Sequence, residues 1–117
     1  MKVINNEITL YWVHFQSGGA EKNRVYPRAL IKCYDHDDFV LQINFYPDGK
    51  TLPPNNYDKR NKLVYLRYRM SMYDSILDIL RNEKPIYFSY NLNLNIGHVR
   101  TGKEPIGEGE SDADFNT

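Results

Sequence analysis

A single cysteine, Cys33, stands in a chain of 117 residues, so neither an internal disulfide nor a cysteine zinc site can form. Long apolar runs are missing too. No stretch approaches the roughly eighteen residues of a membrane span, and no signal-peptide core is visible. Charge of one sign is equally wanting, since 15 lysines and arginines balance 15 acidic residues. Long nucleic acid is usually held by a strong positive excess, so neutrality argues against it as a partner. The histidines His14, His36 and His98 share no spacing that suggests joint work, and there is no Walker loop, dinucleotide glycine fingerprint or paired-histidine motif. These gaps predict a soluble, cytoplasmic, non-catalytic chain with no cofactor, no metal and no membrane partner.

What is present is tyrosine, ten copies of it. The ring is large and apolar, and the hydroxyl wants a partner, so tyrosine suits half-buried sheet as well as pockets and interfaces. The charge, though balanced, is unevenly spread. From Lys103 onward one lysine faces Glu104, Glu108, Glu110, Asp112 and Asp114, which leaves the preceding body mildly basic. That suits small anions.

The length fits one core. EITLYWVHF (7–15) reads as a first strand. RVYPRALIKCY (24–34) and DFVLQINFY (38–46) read as an antiparallel hairpin across the Asp35–Asp37 turn. In the second of these, Phe39, Leu41, Ile43 and Phe45 share one apolar face. TLPPNNYDKRN is a loop. Leu63–Arg69 is a strand with Arg67 and Arg69 on one face and Val64, Leu66 and Tyr68 on the other. A helix follows over about 71–82. Ser71 and Asp74 fit a capping box, and Tyr73, Ile76, Leu77 and Leu80 form one stripe. PIYFSYN and LNIGHVRT close the sheet. The expected fold is α+β: an antiparallel sheet of about six strands with one packed helix. It spans a single ligand-binding domain over 1–109, followed by an acidic flexible tail over 110–117.

Three stretches carry candidate chemistry. Arg67, Tyr68 and Arg69 run directly into the helix start, whose free N–H groups and dipole attract anions. Arg67 or Arg69 could fork onto a phosphate, and Tyr68 or Tyr73 could offer a ring to a base. The same residues equally fit a solvated sheet face and a ring that completes the core. In GHVRTGK (97–103), Arg100 and Lys103 could bring charge to a phosphate, or could simply end a strand in a glycine turn. Arg28 adds a further cation on the polar face of its strand. Asp35-His36-Asp37-Asp38 reads as a hairpin turn, because adjacent residues on a tight turn rarely converge on one metal. Cys33 falls on an apolar face, where a thiol is inert packing.

RMSMYDSILDIL and GHVRTGKEPIGEGE place an aromatic in the first turn of the helix and an arginine on a late strand, ahead of a glycine-acidic tail. In this the chain resembles the phage-encoded Thoeris anti-defence sponges. The resemblance implies sequestration, without degradation, of a cyclic ADP-ribose isomer, blocking TIR-dependent anti-phage defence in the host bacterial cytoplasm. It also implies a homodimer or higher homo-oligomer, with cyclic oligonucleotides held at separate sites in some members. Residue by residue, Tyr73 would stack on adenine, where the family has phenylalanine, and Arg100 would clamp the pyrophosphate. Arg28, Arg67, Arg69, Tyr68 and Lys103 rest on their chemistry alone. The runner-up is a protein–protein inhibitor or immunity protein, its tyrosines being contact hot spots and its acidic tail a charge mimic. A single-stranded nucleic-acid binder would draw on the same arginines and tyrosines, and zero net charge places it last.

Overall fold

The computed structural model describes residues 2–17 and 25–103. The acidic segment 110–117 lies outside them. The described residues form eight strands and one helix in order: β1 (Val3–Ile8), β2 (Leu10–Phe15), β3 (Ala29–Asp35), β4 (Asp38–Tyr46), β5 (Asn56–Asp58), β6 (Leu63–Arg69), a 3-10 turn (Met70–Met72), α1 (Tyr73–Asn82), β7 (Ile86–Asn91) and β8 (Ile96–Thr101). The fold is α+β. The single sheet expected from the sequence is instead two sheets, β2-β3-β4-β6-β5 and β1-β7-β8.

The division begins at Thr9. EITLYWVHF is dense in β-branched and aromatic residues from end to end, which is why it reads as one strand. Thr9, however, donates its N–H to the Tyr34 carbonyl at 2.8 Å, while its hydroxyl accepts the His36 N–H at 2.6 Å. These bonds pin a corner, so β1 leaves for the smaller sheet while β2 stays with β3. A second departure is that β4 and β6 pair in parallel, Leu41 with Val64 through Tyr46 with Arg69. The loop after Tyr46 runs to the short edge strand β5, which pairs antiparallel with β6 and lets β6 enter in the direction of β4.

The core lies between the layers. Ile31, Cys33, Leu41, Ile43, Phe45, Val64 and Leu66 line the inner face of the larger sheet, each almost fully buried. Ile8, Ile86, Phe88 and Tyr90 from the smaller sheet meet them, joined by Tyr73, Ile76 and Leu80 from α1. The layers come close at Gly97, where a Cβ would stand 2.5 Å from Leu66 Cδ2 and 2.9 Å from the Ser89 carbonyl. Only glycine fits there. Burial also holds the Cys33 thiol well above its ordinary range, consistent with inert packing.

One apolar residue is not where alternation puts it. Pairing shifts register between Cys33 and Tyr34, so that Cys33 faces Leu41 while Tyr34 faces Phe39, with Val40 as the extra residue. Such a bulge reverses which side the following residue takes. Val40 therefore turns into the core and Phe39 turns out, stacking on Tyr34 with ring centroids 5.3 Å apart.

Candidate functional site

The residues singled out from the sequence fall into separate places. Arg67 and Arg69 share the outer face of the larger sheet, as their spacing requires, and the loop between β4 and β5 grips both. Arg67 Nη1 donates to the Pro54 carbonyl at 2.6 Å and to the Asn56 side chain, and its guanidinium lies 5.4 Å from the Tyr65 ring centre. Arg69 Nη1 donates to the Lys50 carbonyl at 2.6 Å. These guanidinium groups fasten a loop.

Tyr68 and Tyr73 stand on the opposite side, Tyr73 in the core and Tyr68 partly buried against it. Phe45 meets Tyr68 at 6.1 Å and Tyr73 edge-on at 5.1 Å, and Phe15 packs on Tyr73 at 5.3 Å. Tyr73 is 8% exposed, so its ring is packing surface. Desolvation pushes both phenols above their ordinary range.

The helix start is also engaged. The Ser71–Asp74 capping box does not form. A 3-10 turn precedes α1, and neither helix N-cap carries a side-chain bond. Instead the Asp48 carboxylate accepts the Ser71 N–H at 3.2 Å. A carboxylate thus stands where a phosphate was expected. Arg28 borders the adjacent cavity of about 430 Å³ with Phe15, Gln16, Pro47, Asp48 and Met70.

Arg100 lies on the outer face of the smaller sheet, its guanidinium 4.9 Å from the Tyr87 ring centre. It belongs to the C-terminal end of α1. β7 begins just after that helix, Thr101 pairs with Ile86, and the Gly102 N–H donates to the Pro85 carbonyl at 3.2 Å. Tyr73 opens the helix, whose ten residues rise about 15 Å. The two residues do not face one site. Lys103 is exposed at the end of the described segment.

A different constellation forms on the outer face of β2, β3 and β4. Lys32 Nζ stands 5.4 Å from the Trp12 ring centre and 5.7 Å from that of Phe39. Trp12 Nε1 donates to the Tyr34 hydroxyl at 3.1 Å, and His14 meets Trp12 edge-on at 4.2 Å. Trp12 remains 51% exposed. A cavity of about 410 Å³ adjoins it, lined by Leu10, Tyr11, Trp12, Tyr34, His36 and Asp37. Among the described residues, no carbonyl or carboxylate bonds to Lys32. Rings alone hold the ammonium, each such contact worth about 0.5–1 kcal/mol at an exposed site. The arrangement can stack a planar group and neutralise an anion beside it. Sequence reasoning missed it because Phe39 reads as core. The visible signal was Trp12 and Lys32 on the polar sides of two neighbouring strands.

Among the described residues, no three His, Cys, Asp or Glu side chains converge as metal ligands, and no helix is long and apolar enough to cross a membrane. No family model, curated protein or solved structure matches the chain.

Proposed function

We propose that this protein is a non-catalytic binder of a small phosphorylated nucleotide, acting by sequestration of a cyclic nucleotide signal such as a cyclic ADP-ribose isomer, and that the ligand contacts the outer face of β2, β3 and β4. The observation that carries the reading is the exposed Trp12 ring beside a Lys32 ammonium that, among the described residues, only aromatic rings hold. A base needs a π-face, and a phosphate needs a cation not already committed. The clamp of Tyr73 and Arg100 has weaker support, because one ring is in the core and the guanidinium lies at the far end of the helix.

The test is calorimetry against cyclic ADP-ribose isomers and cyclic di- and trinucleotides, followed by analysis of the heat-released ligand. Binding with intact release is the expected result. Trp12→Ala should weaken affinity by about 1–3 kcal/mol, the usual worth of one stacked base, and Lys32→Met should also weaken it. Arg100→Ala should leave it unchanged. Chemically altered ligand, or no binding to any of these compounds, would overturn the reading.

The inhibitor reading keeps one observation of its own. At one end of the smaller sheet Leu94 and Ile96 are 67% and 60% exposed, and Val3 and Leu92 at the same end are about half as exposed, at 36% and 37%. An apolar tip of this kind suits a protein target better than a nucleotide.

A further inference from the structure

The two sheets end in four edge strands, and three of them carry features that discourage pairing with another chain. β5 has only three residues and runs into Asp58, Lys59 and Arg60. β1 carries Glu7, and β8 carries Arg100. β2, Leu10-Tyr11-Trp12-Val13-His14-Phe15, has six residues with no lysine, arginine, carboxylate, proline or glycine. Short length, charge and proline are the ordinary defences of a sheet edge. This edge has none of them.

Its hydrogen-bonding phase is fixed by its inner neighbour. Tyr34 and Arg28 both turn their carbonyls to the β2 side, accepting from Thr9 and Gln16. In the alternating antiparallel pattern, Leu10, Trp12 and His14 are then the residues bonded to β3, opposite Tyr34, Lys32 and Leu30. The N–H and C=O groups of Tyr11, Val13 and Phe15 point away from the sheet. Among the described residues, no backbone group meets them.

We infer that a second copy of this chain pairs here, β2 against β2 antiparallel, with Val13 on the two-fold axis. That register matches the open groups: Tyr11 of one copy bonds to Phe15 of the other, and Val13 bonds to Val13. Core faces stay aligned on one side and outer faces on the other. A two-fold contact sets like against like, so a charged edge would repel itself, whereas this one is uncharged. Trp12, Phe15 and Leu10 are 51%, 68% and 57% exposed. With the edges of these side chains and the paired backbones covered, the contact buries no more than about 1,000 Å² in total, below the standard range and at the size of weak, reversible association, and the outer face of Trp12 stays open. The pairing sets Trp12 of one copy opposite His14 of the other, joining the two ring-and-ammonium clusters into one strip. The dimer does not rest on the ligand reading.

Sedimentation of the full chain across micromolar concentrations tests it, with a dimer as the expected species. Val13→Pro removes an outward N–H and leaves the β3 ladder whole, so it should weaken association tenfold or more. Because that variant could also disturb folding, register is read separately. Trp12→Cys and His14→Cys chains are mixed and oxidised, which should give a disulfide-linked heterodimer, since opposed residues in this non-bonded pair lie about 4.5 Å apart at Cα. Neither variant should cross-link alone. A monomer at all concentrations, a dimer without the mixed cross-link, or cross-linking of Trp12→Cys to itself would overturn the inference.

Discussion

The larger sheet carries an aromatic cluster on each face, and the two are built from the same residue types for opposite ends. Inside, Phe45, Tyr68, Tyr73 and Phe15 interlock at centroid distances of 5.1–6.1 Å. Outside, Trp12 and Phe39 flank a lysine, and Tyr34 stacks on Phe39 and accepts from Trp12. Phe45, Tyr68 and Tyr73 are covered largely by one another and by aliphatic neighbours, so their energy goes into folding, while Phe15 at the rim of this cluster is still 68% exposed. The outer rings keep accessible surface and a cation, so part of their energy is still available to a ligand. Ring chemistry does not separate these roles. Burial does.

The sharpest way to break the comparison is to remove one ring from each cluster. Tyr73→Ala should cost about 3–5 kcal/mol, as for other large buried aromatics, through lost transfer energy and the cavity left against Phe45. Urea unfolding would read this as a lower midpoint with little change in slope. Trp12→Ala should cost less than about 1 kcal/mol, because its ring is already half in water. Equal losses in the two variants would mean that the outer cluster is structural.

A smaller effect sharpens the same contrast at the helix start. Asp48→Ala removes the carboxylate that accepts the Ser71 N–H and should destabilise the chain by about 1 kcal/mol, the usual worth of such a cap. Nucleotide affinity measured by calorimetry should not change, since the proposed contact lies on the outer face. A gain or loss of affinity would return the helix start to the site.

Much of this contrast was legible before the structure. The stripe of Tyr73, Ile76 and Leu80 on α1, the inner run Leu41, Ile43 and Phe45, and the split of Arg67 and Arg69 from Tyr68 all follow from simple periodicity. What stayed hidden depends on single irregularities. The corner at Thr9 comes from bonds to Tyr34 and His36, partners more than twenty positions away. The bulge at Val40 adds one residue, and that one residue moves Phe39 from the core to Lys32. Nor can periodicity show that a cation is taken. Arg67 and Arg69 looked available because their partners are carbonyls of Pro54 and Lys50, which no side-chain pattern announces.

The smallest effect, absent at neutral pH, comes from protons. Tyr68, Tyr73 and Tyr90 all have phenols raised above the ordinary tyrosine range, with desolvation the leading cause in each. At Tyr73 the Asp74 carboxylate adds to the rise and Arg81 opposes it, while at Tyr90 Arg67 opposes it. An acid whose folded pKa is raised keeps its proton longer in the native state than in the unfolded chain. The stability this supplies is complete below the unfolded value, about 10, and is lost as pH rises through the raised native values. Melting temperature should therefore be insensitive to these groups up to about pH 9 and fall above about pH 10, with the last tyrosinate absorbance appearing only as the chain unfolds. Phe substitution separates the contributors. Tyr73→Phe keeps the ring against Phe45 and Phe15 while deleting the ionisable hydroxyl, so it should flatten the alkaline fall without lowering stability at pH 7. If all ten tyrosines ionised together while the chain stayed folded, the inner cluster would be open to solvent, and the division between the two faces would fail.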